Sequence, residues 1–167
     1  MSKTPGEVIS THGIAQVEKN TTTGQNALIG LRDFDAGEVI QPFAAATTHS
    51  EPTYLTIQKA DDVHFTLSPT FLQYVNHSCD PNAFFDTDNM QFVAVKPISR
   101  GDEFTFFYPS SEWHMAQPFK CFCGSPNCLG TISGADSIPE DKLAQYKLTG
   151  YIENKLRERK NATGARG

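Results

Sequence analysis

The four cysteines of the chain have the residue type and the spacing to hold a metal ion. Cys121, Cys123 and Cys128 lie close together in CFCGSPNC, and Cys79 lies far upstream in VNHSCDPN. Zn²⁺ prefers four tetrahedral ligands, and thiolates bind it at about 2.3 Å. Turn-forming residues between Cys123 and Cys128 let one loop supply three ligands, and closing a long loop to Cys79 adds little entropic cost. We therefore expect one structural zinc site made of these four cysteines.

Two disulfides and free buried thiols are the alternatives to a metal site. Residues 1–10, MSKTPGEVIS, contain no apolar segment of the kind that directs a chain to an oxidising compartment. This observation favours zinc over disulfides, and free thiols are the third interpretation. It also predicts an intracellular protein, without deciding between nucleus and cytoplasm.

The length and composition predict a single globular unit. The chain has 167 residues, of which 38% are hydrophobic and 20% are charged. No apolar run approaches the roughly 20 residues that a membrane-spanning helix needs, so we expect no membrane partner.

Charge is distributed unevenly along the chain. The net charge is -5, but residues 155–167 hold five basic residues and one acidic residue. Residues 1–154 therefore carry 9 basic and 18 acidic groups, a net charge of -9. Such a body attracts a basic partner and repels nucleic acid, so we predict no direct nucleic-acid binding. The alternative interpretation is that the acidic residues only keep the protein soluble and bind no basic partner.

Apolar stretches bounded by turn residues predict a mainly β fold. Strands are expected over 27–32 and 38–40, and hairpins over 54–67 and 84–95. Residues 104–108 are nearly all apolar, which predicts a buried strand.

A helical segment is predicted at the C-terminal end. Ser137 and Glu140 form a capping box, and Gly150 is expected to divide the segment into two helices. Three residues spaced at i, i+4 and i+8 form an apolar stripe toward the body: Leu148, Ile152 and Leu156.

Four blocks in order resemble a known family. They are LRDFDAGEVI at 31–40, VNHSCDPNA at 75–83, KPISRGDEFTFFY at 96–108 and CFCGSPNCLG at 121–130. Together they are similar to the SET-domain protein lysine methyltransferases with a post-SET zinc loop. One block would be a weak signal, but the ordered set is specific. The resemblance implies a SET-domain fold of several small sheets with a pseudoknot, which would bring Cys79 beside the C-terminal cysteines.

The resemblance also implies a division of the chain into segments. We expect a flexible N-terminal segment at 1–23, a SET domain at 24–116, a post-SET zinc loop at 117–134 and a C-terminal helical segment at 135–167.

S-adenosylmethionine is the cofactor that the resemblance implies, alongside structural zinc. Asn76 and His77 correspond to the family's cofactor-binding Asn-His pair. Asn26 and Ala27 lie where the family has a Gly-x-Gly cofactor loop, so the chain departs from the family pattern there. Phe122 lies where family members cover the adenine, and zinc would order this lid.

Tyr108 matches the catalytic tyrosine of the family, and Phe106 matches a residue that lines the lysine channel. Phe at that position implies that more than one methyl group is added. Tyr54 is a candidate second channel tyrosine, with ordinary strand packing as the alternative.

The resemblance implies a methyltransferase that acts on protein lysine, in a histone tail or another basic peptide segment. Two alternatives stay open at this point. One is a methyltransferase for a nonhistone protein or a small-molecule amine, which the short insert at 44–53 permits. The other is a SET-derived binding module that has lost turnover.

Overall fold

Short strands account for most of the regular structure in the computed structural model, which describes residues 6–53, 56–115, 118–121, 126 and 128–164. The strands are β1 (Gly6–Thr11), β2 (Ala15–Asn20), β3 (Asn26–Gly30), β4 (Val39–Pro42), β5 (Ala44–His49), β6 (Ile57–Ala60), β7 (Val63–Ser68), β8 (Asn76–His77), β9 (Ala83–Asp86), β10 (Gln91–Ala94), β11 (Thr105–Phe106), β12 (Phe119–Lys120) and β13 (Thr131–Ile132). The helices are α1 (Glu140–Leu143), α2 (Gly150–Gly164) and three 3₁₀ turns at Thr70–Tyr74, Tyr108–Ser110 and Ala135–Ser137.

The described strands form five small sheets. Three of them have three strands each, in the orders β1-β2-β3, β4-β10-β9 and β5-β7-β6. The other two are the pairs β8–β11 and β12–β13. The predicted mainly β fold with a C-terminal helix is confirmed. Both predicted hairpins are also present, as β6–β7 and β9–β10.

The parallel pair β8–β11 brings two distant parts of the chain together. Asn76 pairs with Thr105, and His77 pairs with Phe106. The side chain of Asn82 reinforces this pairing, because its amide donates to the carbonyl of Glu103 and accepts from the backbone N–H of Thr105. Asn76 and His77 are therefore held beside the end of β11, where Tyr108 follows.

Two apolar clusters form the core. The first lies among the larger sheets and includes Phe34, Phe85, Phe92 and Phe104. The second joins the C-terminal helices to the cysteine region, and its buried members are Cys79, Phe107, Cys121, Ile132, Ala135, Ile138, Leu143 and Ile152. Tyr146, which follows α1, contacts this region: its ring stacks on that of Phe107 with 3.7 Å between the centroids, and its hydroxyl donates to the Cys79 carbonyl at 2.6 Å.

The structure corrects the prediction of a flexible segment at 1–23. Residues 6–20 form β1 and β2, and β2 pairs with β3 in a register that places Val17 opposite Leu28. Ala15 and Val17 are fully buried by this pairing. Local pattern missed the sheet because the apolar residues of β1, Val8 and Ile9, are exposed.

Two local predictions near the C-terminal half also need correction. The strand expected over 104–108 is shorter in the structure: β11 comprises Thr105–Phe106, Phe104 donates its N–H to the Leu28 carbonyl, and the chain turns into a 3₁₀ helix at Tyr108. The predicted capping box does not form: Pro139 is the N-cap of α1, with no side-chain hydrogen bond, and the hydroxyl of Ser137 donates to Asp136 instead.

The C-terminal helices otherwise follow the prediction. Gly150 begins α2, so the segment is divided as expected. Ile152 is buried in the second cluster, and Leu148 and Leu156 pack against it. None of the described helices combines the length and apolarity needed to span a membrane.

Candidate active site

Tyr108 lies at the end of β11, where the chain enters a 3₁₀ turn. Its backbone N–H donates to His77 Nδ1 at 3.1 Å, and its hydroxyl lies 3.5 Å from the Val75 carbonyl, to which it donates. Burial raises the pKa of the phenol to about 12, and the carboxylates of Glu112 and Glu103 add to the rise. The phenol is therefore neutral near pH 7, where it can donate a hydrogen bond but is not a base.

Tyr108 lines a cavity of about 690 Å³ whose walls consist mostly of polar residues. Asn26, Ala27, Asn76 and His77, the cofactor candidates within the described residues, all line it. Glu103 lines it as well, although no sequence motif pointed to that residue as a cofactor ligand. We call this space the first cavity.

Asn76 is oriented by two hydrogen bonds. Its Nδ2 donates to the carbonyl of Asn26 and to Glu103 Oε2, both at 2.9 Å. These contacts use the donors of the amide and leave Asn76 Oδ1 as an acceptor. With the Glu103 carboxylate beside it, this corner of the first cavity suits an ammonium group such as that of a methionine moiety.

Tyr108 also lines a second, mainly apolar cavity of about 950 Å³. Phe106 lines it, and its ring centroid lies 4.6 Å from that of Tyr108. The two cavities share five lining residues: Gln25, Asn26, Asn76, Tyr108 and Phe119. The two cavities therefore adjoin at a wall that includes Tyr108, and a direct transfer between bound groups needs such adjacent sites.

His77 connects Tyr108 to the cysteines. Because Nδ1 accepts the Tyr108 N–H, the neutral ring carries its proton on Nε2, which lies 3.5 Å from Cys79 Sγ. Burial lowers the pKa of His77 to about 4, so the ring is neutral near pH 7. His77 is thus positioned as a donor to the Cys79 sulfur, and its ring nitrogen also lies within 4.8 Å of both Cys79 Sγ and Cys121 Sγ, where the three could hold a metal ion.

Cys79 and Cys121 fit a zinc site better than a disulfide. Cys79 Sγ and Cys121 Sγ lie 4.0 Å apart, close to the roughly 3.8 Å between sulfurs of a tetrahedral zinc site and far from the roughly 2.05 Å of a disulfide. Cys128 Sγ instead donates to the Cys121 carbonyl at 3.7 Å, and among the described residues the group that could hold a metal ion consists of His77, Cys79 and Cys121. The backbone N–H of Leu129 points at Cys79 Sγ at 3.4 Å, as suits a thiolate.

Three predicted site residues lie outside the described residues. They are Tyr54, Phe122 and Cys123. Their assignments to the substrate channel, the cofactor lid and the metal site stay predictions.

Glu112 is a site residue that sequence reasoning missed. It lines the second cavity and is 7% exposed, and its Oε2 accepts from the Gln58 backbone N–H at 2.9 Å and the Ser111 hydroxyl at 2.8 Å. Burial raises the pKa of the carboxyl to about 7, against the opposing effect of these hydrogen bonds. No motif marks this position, because its partner Gln58 is distant in sequence.

Comparison with known proteins decides the family. The sequence model named "SET domain" matches residues 25–109, about half of the chain. The chain belongs to the SET-domain family. Methyltransferase flvH of Aspergillus flavus is 38% identical over 143 residues, which are 84% of this SET-domain chain and 80% of that protein.

More distant relatives carry more specific names. The H3 lysine-36 specific histone-lysine N-methyltransferase of Saccharomyces cerevisiae is 28% identical over 123 residues. That match covers 66% of this SET-domain chain but only 17% of the yeast protein. A crystal structure of KRYPTONITE with mCHH DNA, an H3(1-15) peptide and SAH has a TM-score of 0.51 at 19% identity, over 69% of this chain and 28% of that one, which supports the fold alone.

These matches confirm the SET-domain fold and place the chain among relatives that are methyltransferases. The segment boundaries from 24 onward stay predictions, as do the roles assigned to individual site residues.

Proposed function

We propose that this SET-domain protein transfers methyl groups to the ε-amine of lysine in a basic peptide segment, such as a histone tail. The observation that carries the proposal is the position of Tyr108 at the shared wall of a polar and an apolar cavity. The first cavity suits a charged cofactor, and the second suits the alkyl chain of lysine.

S-adenosylmethionine would supply an activated methyl group on a sulfonium centre. Asn76 and Glu103 would bind its ammonium group in the first cavity, where their polar atoms converge. Tyr108 would orient the amine by accepting an amine N–H with its hydroxyl oxygen, because the phenol, with a pKa of about 12, keeps its own proton and donates it to the Val75 carbonyl. The lysine ammonium would first release one proton to solvent, so that the nitrogen lone pair is free to take the methyl group as the carbon–sulfur bond of the cofactor breaks. The apolar wall of the second cavity, including Phe106, would exclude water from the reacting nitrogen.

A structural zinc held by Cys79, Cys121, Cys123 and Cys128 is part of the proposal. The spacing of Cys79 and Cys121 and the N–H···S contact to Cys79 support it. Cys121 and its neighbour Phe119 also line the first cavity, so the ion would order part of the cofactor wall. Thiolate ligands need a reducing environment, which agrees with the intracellular location predicted from the sequence.

The substrate class is supported by relatives and by charge. Several relatives are named histone-lysine methyltransferases, and the KRYPTONITE complex contains a histone peptide. The net charge of -5 favours a basic partner. The DNA in that complex belongs to KRYPTONITE, and the absence of direct nucleic-acid binding here stays a prediction from charge.

A small-molecule amine is the second candidate substrate. The second cavity, at about 950 Å³, is within the size range of sites that enclose whole small ligands. Residues Ala44–His49 of the short insert are used by strand β5, which leaves little chain to build a peptide groove there.

Incubation with labelled S-adenosylmethionine tests the proposal. Zinc-loaded protein and a Tyr108→Phe variant are each mixed with core histones, a lysine-containing histone tail peptide and a set of small alkylamines. We expect label on lysine of the histone or peptide, and a drop of about 100-fold or more in the variant, because the hydroxyl that orients the amine is lost.

Each other result would replace the proposal with a named alternative. Label found only on the small amines would favour the second candidate. Calorimetric binding of S-adenosylmethionine without label on any substrate would favour a SET-derived module that has lost turnover.

A further inference from the structure

Glu112 places a carboxyl group in an otherwise uncharged cavity. The described residues that line the second cavity are mainly apolar or neutral polar. Among them, Glu112 is the single Asp, Glu, Lys, Arg or His residue. Apolar residues that line the same cavity include Phe106, Phe85, Leu72 and Met115. A carboxylate in such surroundings is destabilised unless a cation or several hydrogen bonds compensate it.

The contacts of Glu112 compensate the charge only in part. Oε2 accepts hydrogen bonds from the Gln58 N–H and the Ser111 hydroxyl, and no ion pair to Glu112 is present within the part of the chain that the structure describes. Burial outweighs both hydrogen bonds and raises the pKa of the group to about 7.

The backbone fixes the position of Glu112 on the turn that follows Tyr108. The Glu112 N–H donates to the Tyr108 carbonyl at 3.1 Å, and the Ala135 N–H donates to the Glu112 carbonyl at 2.9 Å. The carboxyl group is therefore held near the phenol that faces both cavities, and its charge contributes to the raised pKa of Tyr108.

A purely structural role does not need the charge. A glutamine at this position could accept from Gln58 and Ser111 with its amide oxygen, and it would avoid burying an ionised group. The charge becomes useful when a cation enters the cavity.

We propose that Glu112 is the counter-ion that binds the cationic amine of the substrate in the second cavity. This inference rests on the proposed function, since it assigns the second cavity to the amine. An alkylamine is an ammonium ion near neutral pH, and stripping its water in an apolar cavity is unfavourable without an opposite charge. Glu112 therefore selects an alkylammonium group over a neutral group of the same shape.

A binding experiment with n-butylammonium and 1-butanol tests this selection. These probes match the end of a lysine side chain and its uncharged isostere. They are titrated by NMR into the zinc-loaded full chain with S-adenosylhomocysteine bound, at about pH 8.5, where Glu112 is ionised and a primary amine is still charged. The wild-type protein is expected to bind the ammonium about tenfold more tightly than the alcohol.

Two variants separate charge from structure. Glu112→Gln keeps a hydrogen-bond acceptor but removes the charge, so the preference for ammonium is expected to disappear. Ser111→Ala removes one hydrogen bond to the carboxylate but keeps the charge, so the preference is expected to persist.

The outcomes are distinct from those for methyl transfer. Equal binding of both probes to the wild-type protein, which needs no variant to fold, would overturn the inference. An undiminished ammonium preference in Glu112→Gln would do the same. If the preference depends on Glu112 but no substrate is methylated, the ammonium site stands and the proposed function fails.

Discussion

At the scale of single residues, Tyr108 and Glu112 illustrate how burial assigns different chemistry to two ionisable groups on one turn. Burial raises the pKa of the Tyr108 phenol to about 12, which keeps it a hydrogen-bond donor. Burial also raises the pKa of the Glu112 carboxyl to about 7, which lets it change charge near neutral pH. One group is therefore suited to orienting an amine, and the other to balancing its charge.

The raised pKa of Glu112 predicts a pH-dependent difference in stability between the wild-type protein and Glu112→Gln. The folded protein holds the Glu112 proton up to about pH 7, whereas the unfolded chain releases it near the ordinary value of 4.5. Between these values the folded state binds more protons, so Glu112 makes stability fall as pH rises through this window. Glutamine does not titrate, so the Glu112→Gln variant does not lose stability in this way as the pH rises.

We expect the free energy of unfolding of Glu112→Gln, relative to wild type, to rise by about 2 kcal/mol between pH 5 and pH 8. Urea unfolding of both proteins at both pH values measures this difference. The contributions of other titrating groups are the same in the two proteins and cancel in the comparison. A difference that is constant with pH would show that Glu112 has an ordinary pKa.

Phe106 predicts the number of methyl groups transferred. Its ring packs 4.7 Å from Phe85 and 4.6 Å from Tyr108, so a hydroxyl added by Phe106→Tyr would enter the crowded end of the second cavity. We expect the wild-type protein to give di- or trimethyl product. The variant should form about tenfold less of this product and should accumulate monomethyl product instead. Mass spectrometry of saturated reactions decides, and a wild-type reaction that stops at monomethyl would contradict the expectation.

At the scale of elements, the segment that carries Glu112 is held by the chain just before α1. The Ala135 N–H donates to the Glu112 carbonyl, the Asp136 N–H donates to the Trp113 carbonyl, and the Met115 N–H donates to the Ser133 carbonyl. Between these contacts lies Gly134, with φ at +114°. A Cβ atom there would lie 2.6 Å from the Trp113 carbonyl oxygen. Glycine is therefore required both by conformation and by the close approach of the two segments.

Gly134→Ala is expected to destabilise the protein by about 3 kcal/mol, because strain at a positive φ is combined with a clash against backbone. Gly37→Ala is the matched control, since its φ is +88° and a Cβ there has no neighbour within 4 Å. The control should lose only about 1 kcal/mol. Urea unfolding compares the two, and equal losses would mean that the close approach to Trp113 is unimportant.

At the scale of the whole molecule, the cysteine region joins the second core cluster to the active site. Cys79 and Cys121 are buried in that cluster, and Cys121 also lines the first cavity. His77 links Cys79 to the backbone of Tyr108. The first core cluster, among the larger sheets, contains none of the described cysteines.

Zinc removal is therefore expected to weaken cofactor binding more than it unfolds the protein. We expect the affinity for S-adenosylhomocysteine to fall about tenfold or more after chelation, because the wall around Cys121 loses its order. The sheet signal in circular dichroism should persist, and added zinc should restore binding. Calorimetry and circular dichroism on the same sample measure both effects, and complete unfolding on chelation would contradict this separation.

Much of the fold followed from local patterns. The hairpins β6–β7 and β9–β10 and the division at Gly150 each depend on turn residues close in sequence to the segments they connect. The sheet of β1 and β2 did not follow, since its buried residues are defined by pairing with β3. The capping box failed because Pro139 takes the N-cap position itself.

The sequence by itself determined the family, since the ordered blocks around Cys79, Tyr108 and Cys121 are contiguous motifs with fixed residue types. Only the tertiary structure decided which groups face one another. It placed Asn76 against Glu103 and set Glu112 against Gln58 in the second cavity. The reason is physical: burial and contacts between distant segments set the charge state and the neighbours of a side chain, and neither is encoded in local spacing.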